Sequence, residues 1–155
     1  MSTNLRTPRF RMLPPRLVLL LLLSILALRK GLPEARLLPD PWRWLGVPIG
    51  VLGIVIAVGA ARQFRALNTN IKTFDAPGRL VTNGWFRISR NPMYLGFALL
   101  LLGAATVTGS AVTFLSPLVF LLISEWIYIP FEERAMSRAF KEDYQTYRRR
   151  VRRWL

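Results

Sequence analysis

Two short segments carry side chains whose types and spacing could do chemistry. The first, Arg87-Ile-Ser-Arg-Asn-Pro-Met-Tyr-Leu-Gly96, is a basic turn that opens directly into an apolar run; the second, Glu125-Trp-Ile-Tyr-Ile-Pro-Phe-Glu-Glu133, lies where that run ends. Asn91 suits a helix N-cap and Pro92 the first turn, so the first segment predicts a helix start with unpaired backbone N–H groups and a positive dipole end. Arg87 and Arg90 add charge there, and together these donors suit a carboxylate or a phosphate. The simpler reading keeps the arginines among anionic lipid headgroups. In the second segment Glu125 and Glu132 are seven apart, nearly on one helix face with Tyr128 between them. A carboxylate at the depth of an apolar span is costly and marks a site by default, unless it reaches the headgroups. Pro130 weakens a helix at that point and leaves carbonyls open to other donors. Here the simpler reading is a solvated array of ion pairs with the basic residues that follow.

The chain has no cysteine and no histidine. Disulfides, thiol nucleophiles, the commonest zinc and haem ligands and the usual neutral-pH base are thereby removed, and no metal site is expected. Chemistry is left to Asp, Glu, Tyr, Arg, backbone groups or a bound cofactor.

The elements that must position these segments follow from where charge and apolar residues separate. The formal charge is +14 and 52% of the 155 residues are hydrophobic, yet Pro92 to Ser124 contains no charged side chain. As one helix those 33 residues would extend to about 50 Å against a hydrocarbon core of about 30 Å, so the run must fold back on itself. Thr106-Val-Thr-Gly-Ser110 is the natural turn. The expected fold is all-α: a single polytopic membrane domain with about four transmembrane helices (12–28, 45–61, 93–105 and 111–131), a loop over 62–92 and a C-terminal interfacial helix over 132–153. The first of these runs is also compatible with a secretory signal, but Leu26-Ala-Leu-Arg-Lys30 offers a poor cleavage site, so a retained span is preferred. Gly46-x-x-x-Gly50 reads as a helix-packing pair, since no strand precedes it to make a nucleotide loop.

Lys and Arg number 4 before the first span, 6 between Arg62 and Arg90 and 8 after Phe131, against 4 from Arg29 to Arg43 and none at the Thr106–Ser110 turn. The positive-inside bias places both termini and the 62–92 loop in the cytoplasm, in a bacterial-type inner membrane. In that loop Asp75-Ala-Pro-Gly-Arg79 and Asn83-Gly84 are turn signals around the short apolar pair Leu80-Val81. In the C-terminal helix Met136, Phe140, Tyr144, Tyr147 and Val151 recur at helical spacing and give one aromatic, apolar face. Nucleic-acid binding is not expected, because a membrane rim accounts for the positive charge.

The two segments, together with Phe140-Lys-Glu-Asp-Tyr-Gln-Thr-Tyr-Arg-Arg-Arg-Val-Arg-Arg153, resemble the integral-membrane methyltransferases related to isoprenylcysteine carboxyl methyltransferase and the phospholipid N-methyltransferases. The resemblance covers roughly Thr73 to the C-terminus. It implies a helical enzyme that uses S-adenosylmethionine on a lipid or lipidated acceptor at the cytoplasmic membrane face. Carried over by position, it assigns Arg90, Asn91, Pro92, Tyr94, Leu95, Gly96, Glu132 and Glu133 to the cofactor pocket, with Tyr144, Tyr147 and Arg150 in a covering helix. Glu125 and Glu132 are the candidates for accepting a proton if the acceptor is an amine; a carboxylate acceptor needs no base. In two departures Asn91 stands for the histidine of many relatives, and Lys141 stands where relatives often have glycine. Two other classes fit parts of the pattern. One is a nicotinamide-dependent, sterol-reductase-like enzyme, and the other is a non-enzymatic membrane protein that organises anionic lipids or a partner.

Overall fold

The computed structural model describes residues 12–31, 37–66 and 78–155. The N-terminal arginines Arg6, Arg9 and Arg11 and most of the predicted Asp75–Arg79 turn lie outside the described residues. All regular structure among the described residues is helical: α1 Pro14–Gly31, α2 Gly46–Ala66, α3 Pro92–Thr108, α4 Leu115–Ile123 and α5 Ile129–Arg150, with short 3₁₀ turns at Trp42–Leu45, Gly84–Arg87 and Ala111–Phe114. By length and composition two helical stretches, Trp42–Ala66 and Ala111–Arg150, are able to cross a membrane, while α3 is apolar but shorter. At 17 residues it extends to about 26 Å, slightly less than the hydrocarbon core. Leu19, Leu20, Leu23 and Leu26 on α1, Val51, Leu52, Ile54 and Val55 on α2, and Leu115 and Leu118 on α4 are exposed. Apolar surface on that scale belongs against lipid rather than water.

Helix α2 lies directly on α3 along a seam of glycines. A Cβ on Gly53 would come within 2.5 Å of the Gly96 carbonyl oxygen and of the Leu100 nitrogen, and one on Gly103 within 2.5 Å of the Gly46 carbonyl and the Gly50 nitrogen. The two backbones touch because nothing projects between them. The packing role read from the Gly46/Gly50 spacing is thus the observed one, with Gly53, Gly96 and Gly103 added to it. The helix continues past the expected end at Ala105, and Thr106 and Thr108 donate their hydroxyls back to the carbonyls of Leu102 (2.8 Å) and Ala105 (2.6 Å), which pairs both hydroxyls within the helix. Gly109, at φ +70, then ends the helix in the left-handed conformation, inside the Thr106–Ser110 segment where the turn is expected.

The last helical run differs from expectation. Instead of a span ending near Phe131 and a separate helix, α4 passes through a π turn, Ser124–Tyr128, straight into α5. Pro130 has no N–H to return to the turn before it, and the wider π turn accommodates that defect without a break. The break comes later, at Lys141, whose φ of 42° and ψ of −114° are not helical and divide α5 into two rods.

Two apolar clusters follow from this arrangement. Leu17, Ile25, Leu101, Ala105, Phe120 and Tyr128 fill the space between α1, α3 and α4. Phe64, Val81, Phe86, Tyr144, Tyr147 and Val151 form the second, where the end of α2, the segment before α3 and the outer rod of α5 meet. The predicted aromatic face of the C-terminal helix is the face that packs there, with Met136 and Phe140 against it.

Candidate active site

The start of α3 and the first turns of α5 converge. Tyr94, one turn into α3, donates its hydroxyl to Glu132 Oε1 at 2.8 Å, across 38 positions of sequence. Its ring stacks on Tyr128 with centroids 5.9 Å apart and lies 6.4 Å from Phe120, so the hydroxyl is aimed by packing from behind. Arg90, one residue before the helix cap, reaches Glu133 with Nη2 at 3.1 Å. Its side chain is only 8% exposed, and its Nε and Nη1 have no hydrogen-bond partner among the described residues. Buried guanidinium donors are normally filled. Arg90 and Glu132 line the same space.

That space is a cavity of about 60 Å³ walled by Arg90, Asn91, Pro92, Tyr94, Glu132, Glu133, Tyr144 and Tyr147, with Phe64, Val81, Phe86, Met93 and Met136 as its apolar side. Tyr147 donates to the Phe86 carbonyl at 2.6 Å, tying the outer rod of α5 to the segment before α3. Burial pushes the Tyr147 hydroxyl well above the ordinary tyrosine range, Tyr144 beside it adding to the effect and Arg90 opposing it. Tyr144 is likewise raised, by burial first and then by the Glu133 carboxylate. Both therefore remain neutral donors at physiological pH.

Four of the predicted site residues lie off this wall. Gly96 faces α2, where a Cβ would meet the Ala57 nitrogen at 2.6 Å, so its part is helix packing. Leu95 makes a helix bond to the Asn91 carbonyl, and Arg150 is exposed. Glu125 is engaged elsewhere: its Oε1 pairs with Arg153 Nη1, and its Oε2 accepts from the Trp154 indole at 2.9 Å. The π turn between Glu125 and Glu132 departs from regular α spacing and sends the two carboxylates to different partners. Asn91 occupies the cap position, but its side chain makes no capping bond; it donates instead to the Arg153 carbonyl at 3.0 Å.

These partners reveal a device that the sequence reading missed. The segment Val151–Trp154 runs back across the start of α3 as a strap. Arg90 N–H donates to the Arg152 carbonyl at 3.0 Å and Ser89 Oγ to the Arg153 carbonyl at 3.2 Å. Arg153 bridges Glu125 and Glu133, reaching Glu133 Oε2 with Nη2 at 2.7 Å. Its ionisation is pushed further up, chiefly by the Glu133 hydrogen bond and against the effect of burial. In the sequence Arg153 is one of five arginines in Arg148–Arg153, and nothing in that run distinguishes a clamp from a headgroup anchor.

An all-helical chain with two helices able to cross a membrane, and a cavity at the start of α3, defines the class: a small helical membrane protein. The model of the phospholipid methyltransferase family matches residues 41–143, and the chain belongs to that family. The match includes the α2–α3 seam, the Arg87–Gly96 segment and the Glu132-Glu133 pair, and stops just before Tyr144. An uncharacterized protein of Haemophilus influenzae is 33% identical over 63 residues, which are 41% of this chain and the whole of that one. No solved structure matches the chain.

Proposed function

We propose that the protein transfers a methyl group from S-adenosylmethionine to a lipid-type acceptor at the cytoplasmic membrane face, with α1, α2, α3 and the α4–α5 run as four passes and both termini in the cytoplasm. The observation that carries this reading is the cavity joining Tyr94 and Glu132, with the two unfilled N–H donors of buried Arg90 in its wall. A carboxylate oxygen can accept from such a donor, and the methyl donor's amino-acid end bears a carboxylate. Glu132, Glu133 and the rings of Tyr144 and Tyr147 offer carboxylate and π-face partners to cationic groups, and Phe64, Phe86 and Met136 an apolar slot for a base. When bound, S-adenosylmethionine supplies the electrophilic methyl; the chain supplies alignment and water exclusion.

Within the cavity the residues divide the work. Glu132, held by Tyr94, is the carboxylate able to take a proton from an amine acceptor, whereas Glu125 serves the site by holding the strap through Arg153 and Trp154. The enclosed 60 Å³ is far below the ~300–1,000 Å³ of small-molecule pockets, so a ligand must displace part of the wall. The outer rod of α5, hinged at Lys141 and latched by Arg153, is the part built to move.

The deciding experiment incubates detergent-purified full-length protein with methyl-labelled S-adenosylmethionine and a lipid extract, then identifies labelled product. A labelled lipid that disappears with Glu132→Gln is the expected result; no transfer, with binding of NADPH in its place, overturns the reading. Because the chain lacks cysteine, single cysteines placed at the exposed positions Asn83 and Ala111 report topology directly. Asn83 is expected to react from the cytoplasmic side and Ala111 from the opposite one.

A further inference from the structure

A groove of about 340 Å³ is bounded by Pro130, Glu133, Arg134, Ser137 and Arg138 of the inner rod of α5 and by Arg148 of the outer rod. We propose that it binds a phosphate dianion, which bridges Arg134 and Arg138 to Arg148 and clips the outer rod in its closed position. The proposed methyl transfer uses none of these three arginines.

The kink in α5 builds the groove. Pro130, Arg134, Ser137 and Arg138 stand at i, i+4, i+7 and i+8, which is one face of the inner rod. In a regular helix Arg148 would lie roughly 15 Å beyond Arg138 along the axis. The non-helical backbone at Lys141 turns the outer rod, and Arg148 lines the same groove as the two arginines that precede the bend.

Charge identifies the occupant. All three arginines are exposed, and none makes an ion pair among the described residues. Arg134 donates its Nε–H to the Pro130 carbonyl at 3.0 Å, which leaves its forked end for another acceptor. The groove's own carboxylate, Glu133, is already held by Arg90 at 3.1 Å and by Arg153 at 2.7 Å. Glu142 and Asp143, the acids of the outer rod, are not in its walls. Guanidinium groups brought together from two rods repel one another until an anion lies between them, and their planar forks fit phosphate oxygens in pairs. Three arginines against one carboxylate leave an excess of two positive charges, which a phosphate monoester, at about −1.5 to −2 near neutral pH, balances and a monovalent anion does not. The groove starts at Pro130, where the apolar run gives way to charge, a level at which headgroup phosphates and soluble ones are both within reach.

Glu133 lines this groove and the Tyr94–Glu132 cavity alike, and Arg148 shares its rod with Tyr144 and Tyr147 of the cavity wall. An anion that ties Arg148 to the inner rod therefore holds those two rings in place and slows exchange of the methyl donor; this last consequence alone rests on the proposed function.

The test is hydrogen–deuterium exchange of the full-length protein, read by mass spectrometry over amides 142–150. Detergent samples contain inorganic phosphate or chloride at matched ionic strength, and phosphatidylcholine nanodiscs contain or lack a minor fraction of phosphatidate. Phosphate is expected to slow exchange of the outer rod about tenfold relative to chloride, the factor of one charge-assisted hydrogen bond. Arg148→Gln and Arg138→Gln should each remove the slowing; both positions are exposed, so folding is spared. Arg149→Gln, also exposed but outside the groove, should retain it. Slowing by inorganic phosphate assigns a soluble anion to the site, and slowing by phosphatidate alone assigns a headgroup. Equal exchange in phosphate and chloride, together with equal exchange in the two nanodiscs, overturns the site. A loss in Arg149→Gln as large as in Arg148→Gln overturns it too, because net charge would then account for the effect. Binding of labelled S-adenosylmethionine to the same samples separates the two readings: protection without donor binding leaves the anion clip standing and removes methyl transfer, and donor binding without protection does the reverse.

Discussion

Helix α2 meets α3 through Gly46, Gly50, Gly53, Gly96 and Gly103, backbone against backbone, whereas Val151–Trp154 is held over the start of α3 by Arg153, Glu125, Glu133 and three hydrogen bonds from Arg90, Ser89 and Asn91. Neither lines the Tyr94–Glu132 cavity itself: the seam fixes α2 and α3, which contribute Phe64 and Tyr94 to it, and the strap ties down α5, which contributes Glu133, Tyr144 and Tyr147. The first is bonded by shape and tolerates little displacement, because a Cβ added at Gly46, Gly53, Gly96 or Gly103 meets backbone. The second is held by polar contacts that water and salt can replace one by one. A rigid frame behind the cavity and a releasable wall, the outer rod of α5 with its strap, are what a site needs if it must align two reactants yet admit a ligand larger than its own volume.

The sharpest way to break this contrast is to add a methyl to the seam. Gly53→Ala and Gly103→Ala each force a Cβ to within 2.5 Å of backbone atoms, which is expected to cost about 3 kcal/mol or more. Thermal unfolding in detergent should show a large drop in Tm for both. A Tm within a degree of wild type would mean the helices are not in contact there.

Releasing the strap should cost less and act differently. Arg153→Ala removes charge-assisted bonds to Glu125 and Glu133, expected to lower stability by about 2 kcal/mol. Exchange of labelled S-adenosylmethionine should become faster at the same time, since the latch is gone. Slower exchange would make the strap part of the binding surface rather than its cover.

Raising the pH tests the aromatic side of the releasable wall. Tyr147 has its ionisation pushed above its ordinary value of 10. Its contribution is intact below pH 10 and is lost as the pH rises beyond it, when the unfolded chain gives up a proton that the folded chain retains. Stability should fall by up to about 1.4 kcal/mol per pH unit in that window for this group. Tyr147→Phe should flatten the slope above pH 10 without changing its sign below.

The smallest effect is expected at the hinge. Lys141, at φ +42, adopts a conformation that glycine takes without strain, so Lys141→Gly should stabilise the protein by about 1 kcal/mol, read as a rise in Tm. A fall in Tm would indicate that the lysine side chain holds the bend.

The sequence made some of this legible for identifiable reasons. An uncharged run too long for one span dictates a reversal, and Gly109 adopts the backbone conformation the turn demands. Tyr94 and Glu132 could be brought together because each is placed by its own signal, the helix start at Asn91-Pro92 in one case and the end of the apolar run in the other. Register inside the last helix could not be read. A π turn depends on how Ser124–Tyr128 packs against α1 and α3, and Pro130 alone gives no indication whether the chain will break or widen its turn. The roles of Glu125 and Asn91 went with that, since both serve the strap, and the strap depends on Arg153, whose neighbours are chemically identical to it. Lys141 is the instructive middle case. Its departure from glycine was visible in the sequence, and the positive φ gives that departure a physical meaning.

The account depends on a methyl donor held at Arg90, and equilibrium dialysis of labelled S-adenosylmethionine with purified full-length protein tests this most directly. Wild type should bind saturably, and Arg90→Met, with its folding verified by thermal unfolding, should bind at least about tenfold more weakly because the donor's carboxylate loses a charged, forked partner. Equal binding by the two proteins, or no saturable binding by wild type, would contradict it.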